Sequence, residues 1–236
     1  LSNSVFHFKQ FVVRQELSAM KVGTDSVMLG AWADIDGCHE ILDIGTGTGV
    51  IALMLAQRNE LSIIHGVEID EAAVEEAEFN FTQSPFSDRM RSFKYPIQRF
   101  AEDTVQRYDL IVCNPPFFTG GILSAQQDRA AVRHTIKLPH DELLIAVRTL
   151  LKPAGKFSLV LPYLEGLRFK EIAQMSGLYC NKVTGVKPSP LEAVERMLMQ
   201  FSRKPKEYQY NEISVRNVDL NNYTTEYKTL TSEFYL

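Results

Sequence analysis

The stretch EILDIGTGTGVIALMLAQR, residues 40–58, constrains the fold more than any other part of the chain. Its opening, EILDIG, reads as a buried strand, and TGVIALMLAQR carries apolar residues at helical spacing. Between them stand Gly45, Gly47 and Gly49. Glycines let a backbone turn sharply and approach a ligand closely, and the helix that follows offers unpaired N–H groups at its N-terminus. SIIHGVEID (62–70) reads as a second strand that ends at an acid, Glu68. A carboxylate in that position can accept both hydroxyls of a ribose. Strand, glycine loop, helix, strand and terminal acid together make a nucleotide site a much stronger reading than a tight glycine turn.

The alternation continues down the chain. Asp70 opens a helix over EAAVEEAEFNF, with acids in its first turns as the helix dipole favours. Residues 91–97 are a weaker strand, and YDLIVCN (108–114) is a strong one. HDELLIAVRTLL (140–151) is a helix stopped by KPAG, KFSLVLP (156–162) a strand, and EGLRFKEIAQMSG (165–177) a helix ending at Gly177. YCNKVTGVKP (179–188) and ERMLMQFSR (195–203) then follow as two strands with no helix between them. This order predicts an α/β fold, a doubly wound and mostly parallel seven-stranded sheet with an antiparallel C-terminal hairpin. Residues 1–35 stand outside the alternation as a small N-terminal extension, with 36–236 the main domain. In the extension FHFKQFVV suggests a strand or hairpin, and TDSVMLGAWA a helix capped by Thr24 or Asp25.

The chain has 236 residues, 45% of them hydrophobic and 23% charged, which suits a single globular domain with a real core. It begins with Leu1, as expected of a chain that is not the complete translation product. No apolar run reaches membrane-span length and no signal peptide is visible, so no membrane partner is expected. Cys38, Cys113 and Cys180 lie far apart and form neither a disulfide framework nor a zinc pattern; a reducing cytoplasm without a metal is the simplest reading. The net charge of −4 argues against indiscriminate polyanion binding but leaves room for a local basic face.

The glycine spacing narrows the nucleotide. G-x-G-x-G with Asp43 two residues ahead of it is not the G-x-G-x-x-G of dinucleotide binders, so an NAD-dependent oxidoreductase ranks last. The loop resembles that of the Rossmann-like S-adenosylmethionine-dependent methyltransferases, and the resemblance covers roughly residues 40–203. It implies S-adenosyl-L-methionine as methyl donor and S-adenosyl-L-homocysteine as product. Asp43, Gly45, Thr46, Gly47 and Gly49 would then lie under the methionine end, with Glu68 on the ribose. Many such enzymes place an acid near the end of the third strand, against the cofactor's adenine. Here the stretch is PIQRF (96–100), and Gln98 or a backbone amide is expected to substitute.

Asn114-Pro115-Pro116-Phe117 closes the fourth predicted strand, where ligands of a doubly wound sheet sit. Asn114 should therefore border the cofactor's reactive methyl. An exocyclic amine on adenine is a poor nucleophile because its lone pair is delocalised into the ring. The Asn114 side-chain oxygen and the Pro115 carbonyl, each accepting one N–H, would favour a pyramidal nitrogen, and Phe117 could stack on the flat base. Proline's fixed φ holds the direction of its carbonyl, and a base within a nucleic acid must first be rotated out of its stack. N-P-P-F resembles the N-P-P-[YFW] motif of amino-methyltransferases that act on adenine N6, cytosine N4 or glutamine amide nitrogen.

FKQFVVRQELSAMKVGTDSVMLGAWA (8–33) is similar, almost residue for residue, to the start of the bacterial tRNA1(Val) (adenine(37)-N6)-methyltransferases. AAVRHTIKLPHDELL (130–144) and KPSPLEAVERMLMQFSR (187–203) resemble the same family. The resemblance implies methylation of N6 of the adenine beside the valine tRNA anticodon, with tRNA as partner; no obligate protein partner is evident in the sequence. It implies further that Lys21, Gly23, Thr24 and Asp25 close over the methionine part of the cofactor. Arg133 and His134 are expected in a loop that orders substrate. Lys187, Arg196, Arg203, Lys204 and Lys206 are expected to form a rim that contacts phosphates, Arg196 alternatively being structural. The competing readings are a protein N5-glutamine methyltransferase acting on a release factor, and a non-catalytic RNA-binding module.

Overall fold

The computed structural model describes residues 4–115 and 138–235. The extension contains an antiparallel hairpin, β1 (Val5–His7) with β2 (Val12–Arg14), followed by α1 (Thr24–Trp32). The N-cap of α1 is Gly23, with no side-chain cap; Thr24 and Asp25, the expected caps, lie inside the first turn, and the Asp25 carboxylate pairs with Arg196 instead.

The alternating part runs β3 (Glu40–Ile44), α2 (Val50–Arg58), β4 (Ile63–Glu68), α3 (Glu71–Thr82), β5 (Met90–Lys94), α4 (Ile97–Asp103), β6 (Tyr108–Cys113), α5 (His140–Leu150), β7 (Leu151–Pro162) and α6 (Tyr163–Met175). It closes with β8 (Tyr179–Lys187), β9 (Arg196–Ser202), β10 (Gln209–Ser214) and α7 (Thr225–Thr231). The strands order as β10-β8-β9-β7-β6-β3-β4-β5, and only β9 runs antiparallel to its neighbours. All seven expected strands are present, and the antiparallel hairpin is β8 with β9.

The sheet has eight strands among the described residues, because β10 adds to the β8 edge in parallel. Its sequence, QYNEIS, buries only Ile213, so it lacks the alternation that marks a strand. The third core strand stops at Lys94, and Pro96 then caps α4, which buries Ile97, Phe100 and Ala101 at helical spacing.

Side chains alternate across the sheet, so each strand feeds both faces. On β6, Leu110 and Val112 join one apolar cluster while Ile111 and Cys113 join the other. The first cluster takes in α1, α2, α7 and the hairpin residues Phe8, Phe11 and Val13; the second takes in α4, α5 and α6. The N-terminal extension thus shares a core with the sheet. Phe234, beyond α7, is buried in that same cluster, and its carbonyl accepts from Lys9 N–H at 2.9 Å.

Candidate active site

Three strand ends converge at the carboxyl edge of the sheet. The glycine loop leaves β3, Glu68 closes β4 and Asn114 follows β6, with β3 flanked by the other two strands. Gly45, Gly47 and Gly49 have φ of 68°, 52° and 81°, a region that disfavours any side chain. Their surroundings differ. A Cβ on Gly45 would meet nothing within 4 Å, and one on Gly47 only Ser18 Oγ at 3.8 Å. A Cβ on Gly49 would lie 2.4 Å from the Phe81 ring. The first two glycines leave room for a ligand, while the third seats α2 against α3.

Asp43 is fully buried beneath this loop and accepts a 2.7 Å hydrogen bond from Thr46 Oγ1. Burial pushes its carboxyl up to about 7, with a smaller push from the Glu68 charge; Thr46 and the Ala52 amide pull the other way. Glu68 is held by three backbone amides, Gly47 N–H to Oε2 at 3.1 Å, and Ile69 and Asp70 N–H to Oε1 at 2.8 and 3.1 Å. A carboxylate has about four acceptor directions, so two ribose hydroxyls would displace at least one of these amides.

The side chain of Asn114 donates from Nδ2 to Ser26 Oγ at 2.8 Å, which leaves Oδ1 a buried acceptor with no partner among the described residues. Such an atom costs about 1–3 kcal/mol and calls for an occupant that donates. Pro115 is buried beside it. Phe117, Arg133 and His134 lie outside the described residues.

Lys21 Nζ donates to the carbonyls of Gln15 and Glu16, and so ties the loop ahead of α1 rather than standing open. Gly23 caps α1, Thr24 follows it, and Asp25 meets Arg196 Nε at 3.1 Å. Gln98 sits on α4, not on a strand, and its amide nitrogen donates to Glu142 of α5. The basic set is divided. Arg196 pairs with Pro162 at the carboxyl rim and Lys187 lies on the same rim, in an ion pair with Glu212 at 2.6 Å. Arg203, Lys204 and Lys206 lie past Ser202, which pairs with Lys156, about 20 Å away along β9. There the Arg203 guanidinium donates to the Arg148 and Leu151 carbonyls. The five do not form one rim.

Three supports escaped the sequence reading. Ser26 holds Asn114. Glu76, fully buried on α3, accepts from the amides of Glu16, Leu17 and Ser18 at 2.5, 2.9 and 2.8 Å. Asn80, one turn on, accepts from Arg14 N–H at 2.8 Å and donates at 2.9 Å to the Arg14 and Thr48 carbonyls. This face of α3 joins the extension to the glycine loop. The available signal was Glu76 and Asn80 at i and i+4 beside the apolar pair Ala73 and Ala77.

The methyltransferase small domain model matches residues 27–165. Across 238 residues, 100% of this chain and 99% of the relative, the sequence is 43% identical to the tRNA1(Val) (adenine(37)-N6)-methyltransferase of Trichodesmium erythraeum. The chain belongs to this family. The Flavobacterium psychrophilum member is 44% identical over 98% of this chain and 99% of its own. The family alignments run nearly end to end, so they include both the N-terminal extension and the β10–α7 tail. A predicted O-methyltransferase from Agrobacterium tumefaciens superposes with a TM-score of 0.67 over 89% of this chain and 96% of its own, at 17% identity, which bears on the fold alone.

As a family member the chain is a methyltransferase that uses S-adenosylmethionine, and its residues fit that cofactor. The open faces of Gly45 and Gly47, the Glu68 carboxylate and the unpartnered Asn114 oxygen lie along one edge. Among the described residues no helix is long and apolar enough to cross a membrane, and no group of three or more His, Cys, Asp or Glu is arranged to hold a metal.

Proposed function

We propose that the protein methylates N6 of adenine 37, beside the anticodon of valine tRNA, in the cytoplasm and without a metal. The observation that carries this reading is Asn114, whose amide nitrogen is fixed on Ser26 while its buried oxygen has no donor among the described residues. An adenine amino group supplies the missing N–H. The Pro115 carbonyl takes the second N–H, and the two acceptors turn the nitrogen lone pair out of conjugation with the ring. The cofactor, when bound, supplies an electrophilic methyl group on a sulfonium. Glu68 holds the ribose and the faces of Gly45 and Gly47 receive the methionine end. Phe117, next but one after Pro115, stacks on the extruded base. Acceptors suffice for the residues' part, since the amine needs orientation more than deprotonation, and its surplus proton leaves to water.

Labelled S-adenosylmethionine, incubated with unmodified valine tRNA and separately with a release factor, tests the reading. Label is expected in the tRNA, in one N6-methyladenosine at position 37 by mass spectrometry. Label in the protein alone would overturn it in favour of a glutamine methyltransferase.

A further inference from the structure

At the start of α1 lies a concavity of about 540 Å³, within the size range of small-ligand pockets. Thr24 and Asp25 of α1 line it on one side, Glu192 and Arg196 on another, and Arg216 and Leu220 of the tail on the third. Its position follows from the sheet. Ser214 pairs with Lys187 at the rim, so the tail leaves β10 at the same edge as Asn114. The next residue of α1 after Asp25 is Ser26, which holds the Asn114 amide. The groove and the amine site are therefore two sides of the start of α1.

The groups in the groove are unevenly engaged. Arg196 is paired with Asp25, and Glu192 accepts from Ser189 Oγ at 2.8 Å. Arg216 makes no ion pair among the described residues, yet it is held in place. Its backbone N–H donates to the Pro188 carbonyl at 2.8 Å. Its guanidinium lies 4.4 Å from the centroid of the Tyr223 ring, which in turn stacks on the buried Tyr227 at 4.8 Å. The guanidinium also donates to the Leu220 carbonyl and to Tyr223 Oη, both at 3.4 Å. Leu220 is exposed, with φ of 58° in the turn that Asn217 and Asn222 close. A guanidinium propped on an aromatic stack can take a planar ligand on its other face. The carboxylates of Glu192 and Glu195 line the same groove; they repel a phosphate but accept hydrogen bonds from an exocyclic amine.

We infer that this groove holds the base of a nucleotide adjoining the target adenine, stacked on Arg216. The inference rests on the proposal that tRNA is the substrate. It makes Arg216 a specificity residue that keeps the neighbour in place while the target is turned out.

Steady-state kinetics on unmodified tRNA would test it with wild-type enzyme, Arg216→Ala and Arg216→Lys, and with RNAs made abasic in turn at each nucleotide flanking the target. Both substitutions are expected to raise KM for tRNA about tenfold, with kcat and cofactor affinity changed less than about twofold. One abasic RNA should raise the wild-type KM about as much, and Arg216→Ala should add nothing further on that RNA. An unchanged KM in Arg216→Ala overturns the inference. So does recovery in Arg216→Lys, which would assign the contact to a phosphate, or additive effects of substitution and abasic site. If Arg216→Ala disturbs the tail and lowers cofactor affinity, the abasic series on wild-type enzyme decides alone. Wild-type enzyme inactive on every tRNA would overturn the substrate proposal itself; activity indifferent to both abasic flanks would overturn only the groove.

Discussion

Asn114 has its amide nitrogen on Ser26 and its buried oxygen on nothing among the described residues. Replacing it with Ala removes one acceptor for the amine and should lower kcat by about a hundredfold or more, the scale of a lost transition-state contact. Cofactor affinity by calorimetry should stay within about twofold. Asp43 gives a pH-dependent expectation. Its carboxyl, near 7 in the fold, lies above the ordinary value of about 3.9 in an unfolded chain. Stability from this group is therefore fully present below about pH 4 and is lost as pH rises through 7. Between pH 5 and 8 the unfolding free energy of the wild type should fall, relative to Asp43→Asn, by about 2–3 kcal/mol in urea titrations. These two residues were legible in the sequence because each stands at a strand end inside a short local pattern. Ser26 was not, since its partner is 88 positions away, and the pairing of Asp25 with Arg196 spans 171. Only the sheet order, β9-β7-β6, brings those partners to one rim.

Helix α3 shows how an element can carry a site it does not touch. Its sequence, EAAVEEAEFNFT, reads as an acidic surface helix, and most of its acids behave so. Glu76 does not; it is buried and gathers three amides of the loop that crosses above the glycine turn. Glu76→Ala would orphan all three and should cost about 3 kcal/mol or more by urea denaturation. Glu76→Gln, which keeps one good acceptor oxygen, should cost less. The regular elements β3, α2, β4, β6 and β8 were readable because their periodicity coincides with their burial. Two others show why the rest was not. β10 pairs through its backbone while its side chains stay largely exposed. In α4 the apolar residues do fall at helical spacing, but the helix is only seven residues long and follows β5 directly, so its first residues read as the end of that strand.

Across the whole molecule the two ends of the chain are packed together. Phe8 stacks near-parallel to Tyr235 at 6.2 Å, Lys9 Nζ donates to the Ser232 carbonyl at 2.7 Å, and Gln57 reaches the Glu233 carbonyl at 2.8 Å. Phe234→Ala, at a side chain 1% exposed, should cost about 3–5 kcal/mol. Because the hairpin and α1 share its cluster, calorimetry should also register weaker cofactor binding in the folded variant. The same packing has a consequence for synthesis. A ribosome delivers the hairpin long before its aromatic partners Phe234 and Tyr235. Until Phe234 and Tyr235 emerge, Phe8 and Phe11 lack part of their cover, and α1 waits without a finished support behind Ser26. A nascent chain therefore carries its glycine loop and Asn114 before the aromatic residues that finish the cluster behind α1 have been added.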